Sequence, residues 1–96
     1  MTVYALAQIA IHDREAYGRY QARFMEVFQR FQGRLLAADE APAVIEGDWE
    51  RDKVILMAFP DEAAFLDWSR SDAYREISRD REAGTTGLVL MLHGLG

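Results

Sequence analysis

The 96-residue chain contains no cysteine, two histidines and two prolines. Without cysteine there is no disulfide framework, no thiolate nucleophile and none of the common structural zinc sites. Eleven Lys and Arg face sixteen Asp and Glu, a net charge of −5. A nucleic-acid binder needs a basic stripe to displace counterions from phosphates, and anionic lipid asks for the same. Neither nucleic acid nor membrane is therefore an expected partner. No stretch nears the ~18 apolar residues that a spanning helix requires. Ala5-Leu6-Ala7 resembles a signal-peptidase site, but too short an apolar run precedes it. A cytoplasmic protein is the expectation. No serine lies in a G-x-S-x-G pattern, so covalent serine catalysis has no support. Gly84, Gly87, Gly94 and Gly96 lack the lysine and the strand–loop–helix context of a phosphate loop.

Half the residues are apolar and 11% are aromatic. That composition and length fit one packed domain spanning residues 1–96. Val3 to Ile11 (VYALAQIAI) reads as a strand buried on both faces. Asp13 is a good helix N-cap. Tyr17, Tyr20, Phe24, Phe28 and Phe31 then recur at three- and four-residue spacing, one stripe of a helix of about five turns. Gly33 closes it as a C′ residue. A short strand covers Arg34 to Ala38, breaks near Pro42 and resumes over Ala43 to Glu46; a proline there suits an edge. Gly47 to Asp52 is a turn-rich connection, and Lys53 to Phe59 (KVILMAF) is again apolar on both parities. Asp61 caps a second helix with Phe65 and Trp68 inward, and Ser71 caps a further helical segment carrying Tyr74 and Ile77. Gly84-Thr85-Thr86-Gly87 breaks it, and Leu88 to His93 is the last strand.

The order β-α-β-β-α-β predicts an α+β, ferredoxin-like fold: one antiparallel sheet with both helices on one face. Such helices cover only that face. Yet the first, third and last strands lack the polar alternation of a solvated surface. Leaving some ten sizeable side chains in water forfeits ~15–30 kcal/mol of gross burial, at ~1.5–3 kcal/mol each. Net stabilities are only ~5–15 kcal/mol, so a partner must cover the open face, and a second copy is the economical one. The competing use of that face is a small-molecule or lipid cavity.

Tyr17-Gly18-Arg19-Tyr20, Gly33-Arg34-Leu35-Leu36-Ala37, Ile45-Glu46-Gly47-Asp48-Trp49 and Phe59-Pro60, followed by Trp68, Ser71, Tyr74 and Arg81, carry a resemblance. The chain resembles members of domain-of-unknown-function family 1330, in the dimeric α+β-barrel superfamily. The Glu-Gly-Asp-Trp block is its most specific part. The resemblance implies a ferredoxin-like fold and a dimer whose sheets face each other. It implies no established activity.

His93, at the end of the last strand, is a candidate general acid or base, because an imidazole titrates near neutrality. The alternative is a strand-end histidine bonded to backbone. His12, beside Asp13, reads as a turn residue. Glu46 is a candidate base if burial raises its pKa, or a loop staple paired with Arg34 or Arg81. Arg34 and Arg81 are candidate clamps for an anionic substrate, since a guanidinium matches a carboxylate fork; the charged run around Arg81 also fits a solvated face. The aromatic stripe containing Tyr20 is core or a ligand cleft, with Tyr74 a further candidate binding residue. Trp49, in a polar turn, is a dimer contact or a pocket wall. Two distant histidines make no metal motif, and no cofactor is expected. Two functions follow from this. One is a dimeric small-molecule-binding or structural module. The other is a cofactor-free enzyme moving a proton with His93 or Glu46.

Overall fold

The computed structural model describes all 96 residues. The elements are β1 (Val3–Ile11), α1 (Arg14–Phe28), β2 (Arg34–Asp39), β3 (Lys53–Phe59), α2 (Glu62–Ser69), α3 (Asp72–Gly84) and β4 (Thr85–His93). All pairings are antiparallel, in the order β2-β3-β1-β4. This is the ferredoxin-like arrangement that the element order predicts, with the second helical arm divided into α2 and α3 at Arg70-Ser71.

The three expected caps form. Asp13 accepts from Glu15 and Ala16 N–H at 3.0 and 3.2 Å, and Asp61 from Ala64 N–H at 2.8 Å. Ser71 Oγ accepts from Tyr74 N–H at 3.1 Å and donates to the Trp68 carbonyl at 2.8 Å, which joins α2 to α3. Each cap satisfies backbone groups that a helix end leaves orphaned.

Three boundaries differ from the sequence reading. The first helix ends at Phe28, one turn early. Arg30 and Phe31 N–H then bond to carbonyls only three residues back, which tightens the chain. Gly33 is not a left-handed C′ glycine, because no glycine but Gly47 has positive φ. Its demand is steric: a Cβ there would lie 2.5–2.7 Å from the Phe28 and Phe59 rings. Second, Ala43 to Glu46 forms no strand. β2 already reaches Val54 at Asp39, β3 begins at Lys53, and Asp52 N–H is taken by the Ile9 carbonyl. Third, β4 starts at Thr85 rather than Leu88, pairing Thr85 to Ile11 and Gly87 to Ile9. Gly87 permits this, since a Cβ would stand 2.1 Å from the Gln8 carbonyl oxygen.

Register fixes what each face carries, because paired residues share a side of the sheet. Val3, Ala5, Ala7 and Ile9 oppose Phe59, Met57, Ile55 and Lys53 on the helix side. There Phe28, Phe59 and Trp68 form an aromatic core, with ring centroids 5.3–5.9 Å apart. The other side presents Tyr4, Leu6 and Gln8 beside Val54, Leu56 and Ala58 of β3 and Leu88, Leu90 and Leu92 of β4. The molecule is only 16 Å across its thinnest axis, the depth of one sheet and one helical layer. Nothing within the chain forms a third layer over the leucines, which remain 39%, 49% and 41% exposed.

Candidate functional site

An apolar cavity of about 410 Å³ lies between the helical layer and the sheet. That volume is within the ~300–1,000 Å³ of small-molecule sites. Its floor is the helix-facing parity of the strands: Ala7, Ile9, Lys53, Ile55, Met57 and Val89. The aromatic stripe of α1 supplies Tyr17, Tyr20 and Phe24, while α2 and α3 add Phe65, Trp68, Tyr74 and Arg81. Met25, Leu35 and Ala38, all exposed, belong to the lining and form its rim. Tyr20 and Tyr74 are thus shared between core and cavity wall. The aromatic stripe is core and also borders a cavity.

Among the polar side chains of the lining, Gln21 and Ser69 are neutral, Lys53 and Arg81 are cationic, and none is a carboxylate. Tyr20 and Tyr74 hydroxyls bond to each other at 2.9 Å. Burial, followed by Tyr74, pushes the Tyr20 pKa well above the ordinary phenol value, so this phenol stays protonated. Lys53 is 5% exposed and its Nζ lies 5.0 Å over the Tyr17 ring, a cation–π contact. No carboxylate lies within 4 Å of that ammonium. Trp68, 3% exposed, has a buried Nε1–H with no acceptor, and Arg81 has a buried Nε–H with none. Arg81 reaches Glu82 only through Nη2, at 3.8 Å.

Of the residues singled out from sequence, Tyr20, Tyr74 and Arg81 therefore meet at one cavity. The others do not. His93 is exposed at the end of β4, opposite Val3. Glu46 is exposed in the loop before β3 and pairs with neither arginine. Arg34 lies in register with Ala58, on the uncovered side of the sheet. Trp49 lies on that side as well: its Nε1–H donates to Gln8 Oε1 at 3.3 Å, and the indole is half-buried. His12 Nε2 is 2.8 Å from Thr86 Oγ1, tying the β1–α1 junction to β4. No group of three or more metal-ligating side chains exists, and no helix is long and apolar enough to cross a membrane.

Sequence reading missed Lys53 and Trp68 as cavity residues. For Lys53 a signal was available. It shares strand parity with Ile55, Met57 and Phe59, so the helix-facing row begins with a lysine.

The match that decides kinship runs over residues 2–95, nearly the whole chain. The chain belongs to the DUF1330 family, a domain of unknown function. A comparison with curated proteins gives no match. Among solved structures, this DUF1330 chain is similar to RPA0582 of Rhodopseudomonas palustris, a protein of unknown function. The TM-score is 0.82 at 23% identity, covering 99% of this chain and 83% of that one. A dimeric ferredoxin-like protein of unknown function from Jannaschia sp. matches with TM-score 0.73 at 19% identity, over 98% and 100% of the two chains. SnoaB, a cofactor-independent oxygenase from Streptomyces nogalater, matches with TM-score 0.72 at 14% identity, over 99% and 94%. At these identities the likeness is one of fold.

Proposed function

We infer that this DUF1330 protein is a small-molecule-binding module that works as a homodimer, its ligand between helices and sheet and its partner on the open sheet face. The ligand half rests on the apolar cavity, whose lining holds Lys53, a buried ammonium with no carboxylate within 4 Å. A buried donor without a partner costs ~1–3 kcal/mol, and a bound molecule that supplies acceptors recovers it. The dimer half rests on the three exposed leucines of β4 and on a structural relative described as dimeric. A cytoplasmic setting belongs to this reading and is checked by cell fractionation.

The cofactor-free oxygenase among the relatives is compatible with an enzyme but does not favour one. His93 and Glu46 stand outside the cavity lining. Proton transfer by either is therefore no part of the reading.

A thermal-shift screen of small organic molecules tests it. Compounds that raise the melting temperature of the wild type are expected to lose their effect in Ala38→Trp, which plugs the exposed rim. They are expected to keep it in His93→Ala and Glu46→Ala. Shifts unchanged by the plug, or no shift from any compound, would contradict the reading.

A further inference from the structure

The cavity runs against the charge of the molecule that holds it. The chain carries sixteen acidic and eleven basic side chains, yet the lining contains Lys53 and Arg81 and no carboxylate. Lysine is almost never buried unless paired, because burying an unpaired charge is costly. The Tyr17 ring faces one side of the Lys53 ammonium but supplies no formal negative charge. Arg81 is in the same position, its Nε–H orphaned and its one ion pair a loose contact to Glu82, an exposed residue. The phenol pair adds to the excess of donors. Whichever of Tyr20 and Tyr74 donates to the other, the second keeps its own O–H proton.

Two cations and a spare phenol O–H border a space whose other polar side chains, Gln21 and Ser69, are neutral and whose remaining walls are apolar. What is missing is negative charge. Building on the binding-module reading above, we propose that the cavity takes a small hydrophobic carboxylate, its anionic end held by Lys53 and Arg81 and its hydrocarbon body among Phe24, Phe65 and Trp68. A carboxylate brings two acceptor oxygens and one charge, matching a guanidinium in shape and an ammonium in sign. A cation would meet Lys53 and Arg81 with no counter-charge. A neutral ligand would leave both basic groups unpaired. Phosphate esters carry more charge and hydration than walls of Ile9, Ile55, Met57 and Phe65 suit.

The test is calorimetric titration of the full chain with 3-phenylpropanoate and with 3-phenylpropanamide, a neutral compound of nearly the same shape. The acid should bind on the order of tenfold to a hundredfold more tightly, the usual advantage of a charge-assisted hydrogen bond. In Lys53→Met that preference should shrink to about threefold or less while amide affinity holds, since the remaining arginine is only one of two charges. Equal binding of acid and amide to the wild type would overturn the carboxylate assignment but leave a small-molecule site standing. Heat from neither probe would overturn the carboxylate assignment, and the thermal-shift screen then decides the binding-module reading. A folded Lys53→Met protein with the full preference for the acid would remove Lys53 from the anion site and refute the proposal. If the variant does not fold, the wild-type ratio alone decides.

Discussion

Replacing Leu90 by lysine should separate the two copies without unfolding either. Leu90 sits mid-strand on the uncovered side of the sheet, opposite Leu6, and is 49% exposed in the single chain. Complete burial of a leucine is worth ~1.5–3 kcal/mol, so the half still exposed offers ~0.7–1.5 kcal/mol. A twofold interface counts every residue twice, giving ~1.5–3 kcal/mol for the pair. Lost burial alone therefore weakens the dimer about tenfold to a hundredfold. Desolvating two ammonium groups adds to that. The helix-facing core is untouched, so circular dichroism should stay native. Sedimentation velocity over a micromolar concentration series reads the shift in dissociation constant. A variant that dimerises as tightly as the wild type would refute the argument from the open face. So would a wild-type protein with the mass of one chain throughout that range.

Two further predictions concern the packed side of the sheet. Tyr20 keeps its proton in the folded state to a higher pH than in the unfolded chain, because burial and Tyr74 oppose its ionisation. Stability from this source is complete below the ordinary phenol pKa of ~10 and falls by ~1.4 kcal/mol per pH unit above it, as the unfolded chain releases a proton that the native one retains. Tyr20→Phe should flatten that alkaline limb in urea titrations from pH 9 to 11; parallel limbs would contradict the assignment. Gly87→Ala forces a methyl to 2.1 Å from the Gln8 carbonyl oxygen and 2.8 Å from Ile9 Cα, both backbone atoms that cannot rotate away. Overpacking costs ~1–3 kcal/mol, so the melting temperature should drop by at least ~4 °C, and an unchanged value would show that β4 moves freely off β1.

Local signals in the sequence were reliable. Asp13, Asp61 and Ser71 cap the helices they precede, and the apolar runs of β1 and β3 are strands, because capping and patterning act within a few residues. Boundaries set by distant contacts were not legible. The end of α1 depends on how Gly33 meets Phe28 and Phe59, and the start of β4 on how closely Gly87 approaches Gln8. The same division runs through the site. Tyr20 and Tyr74 lie on helical faces whose inward direction periodicity reveals, whereas the charged run around Arg81 masks its place in the lining. His93 shares the helix-facing parity through Val3 but ends its strand beyond the cavity, and Glu46 sits in an exposed loop; chemical type alone places neither. Lys53 was hidden because one lysine at the head of an apolar strand reads as its solvent end. Its shared parity with Ile55, Met57 and Phe59 points to the helix side, and the pairing with Ile9 agrees.

The central claim is that the space beneath α1, α2 and α3 is a ligand site, and Trp68 in its wall can report on it. Trp49 lies on the opposite side of the sheet, so Trp49→Phe leaves Trp68 as the one indole. Titrating that variant with 3-cyclohexylpropanoate, which does not absorb at the excitation wavelength, should shift Trp68 emission along the same saturation curve that calorimetry gives. Calorimetric saturation with unchanged Trp68 emission would put the ligand elsewhere and contradict the account.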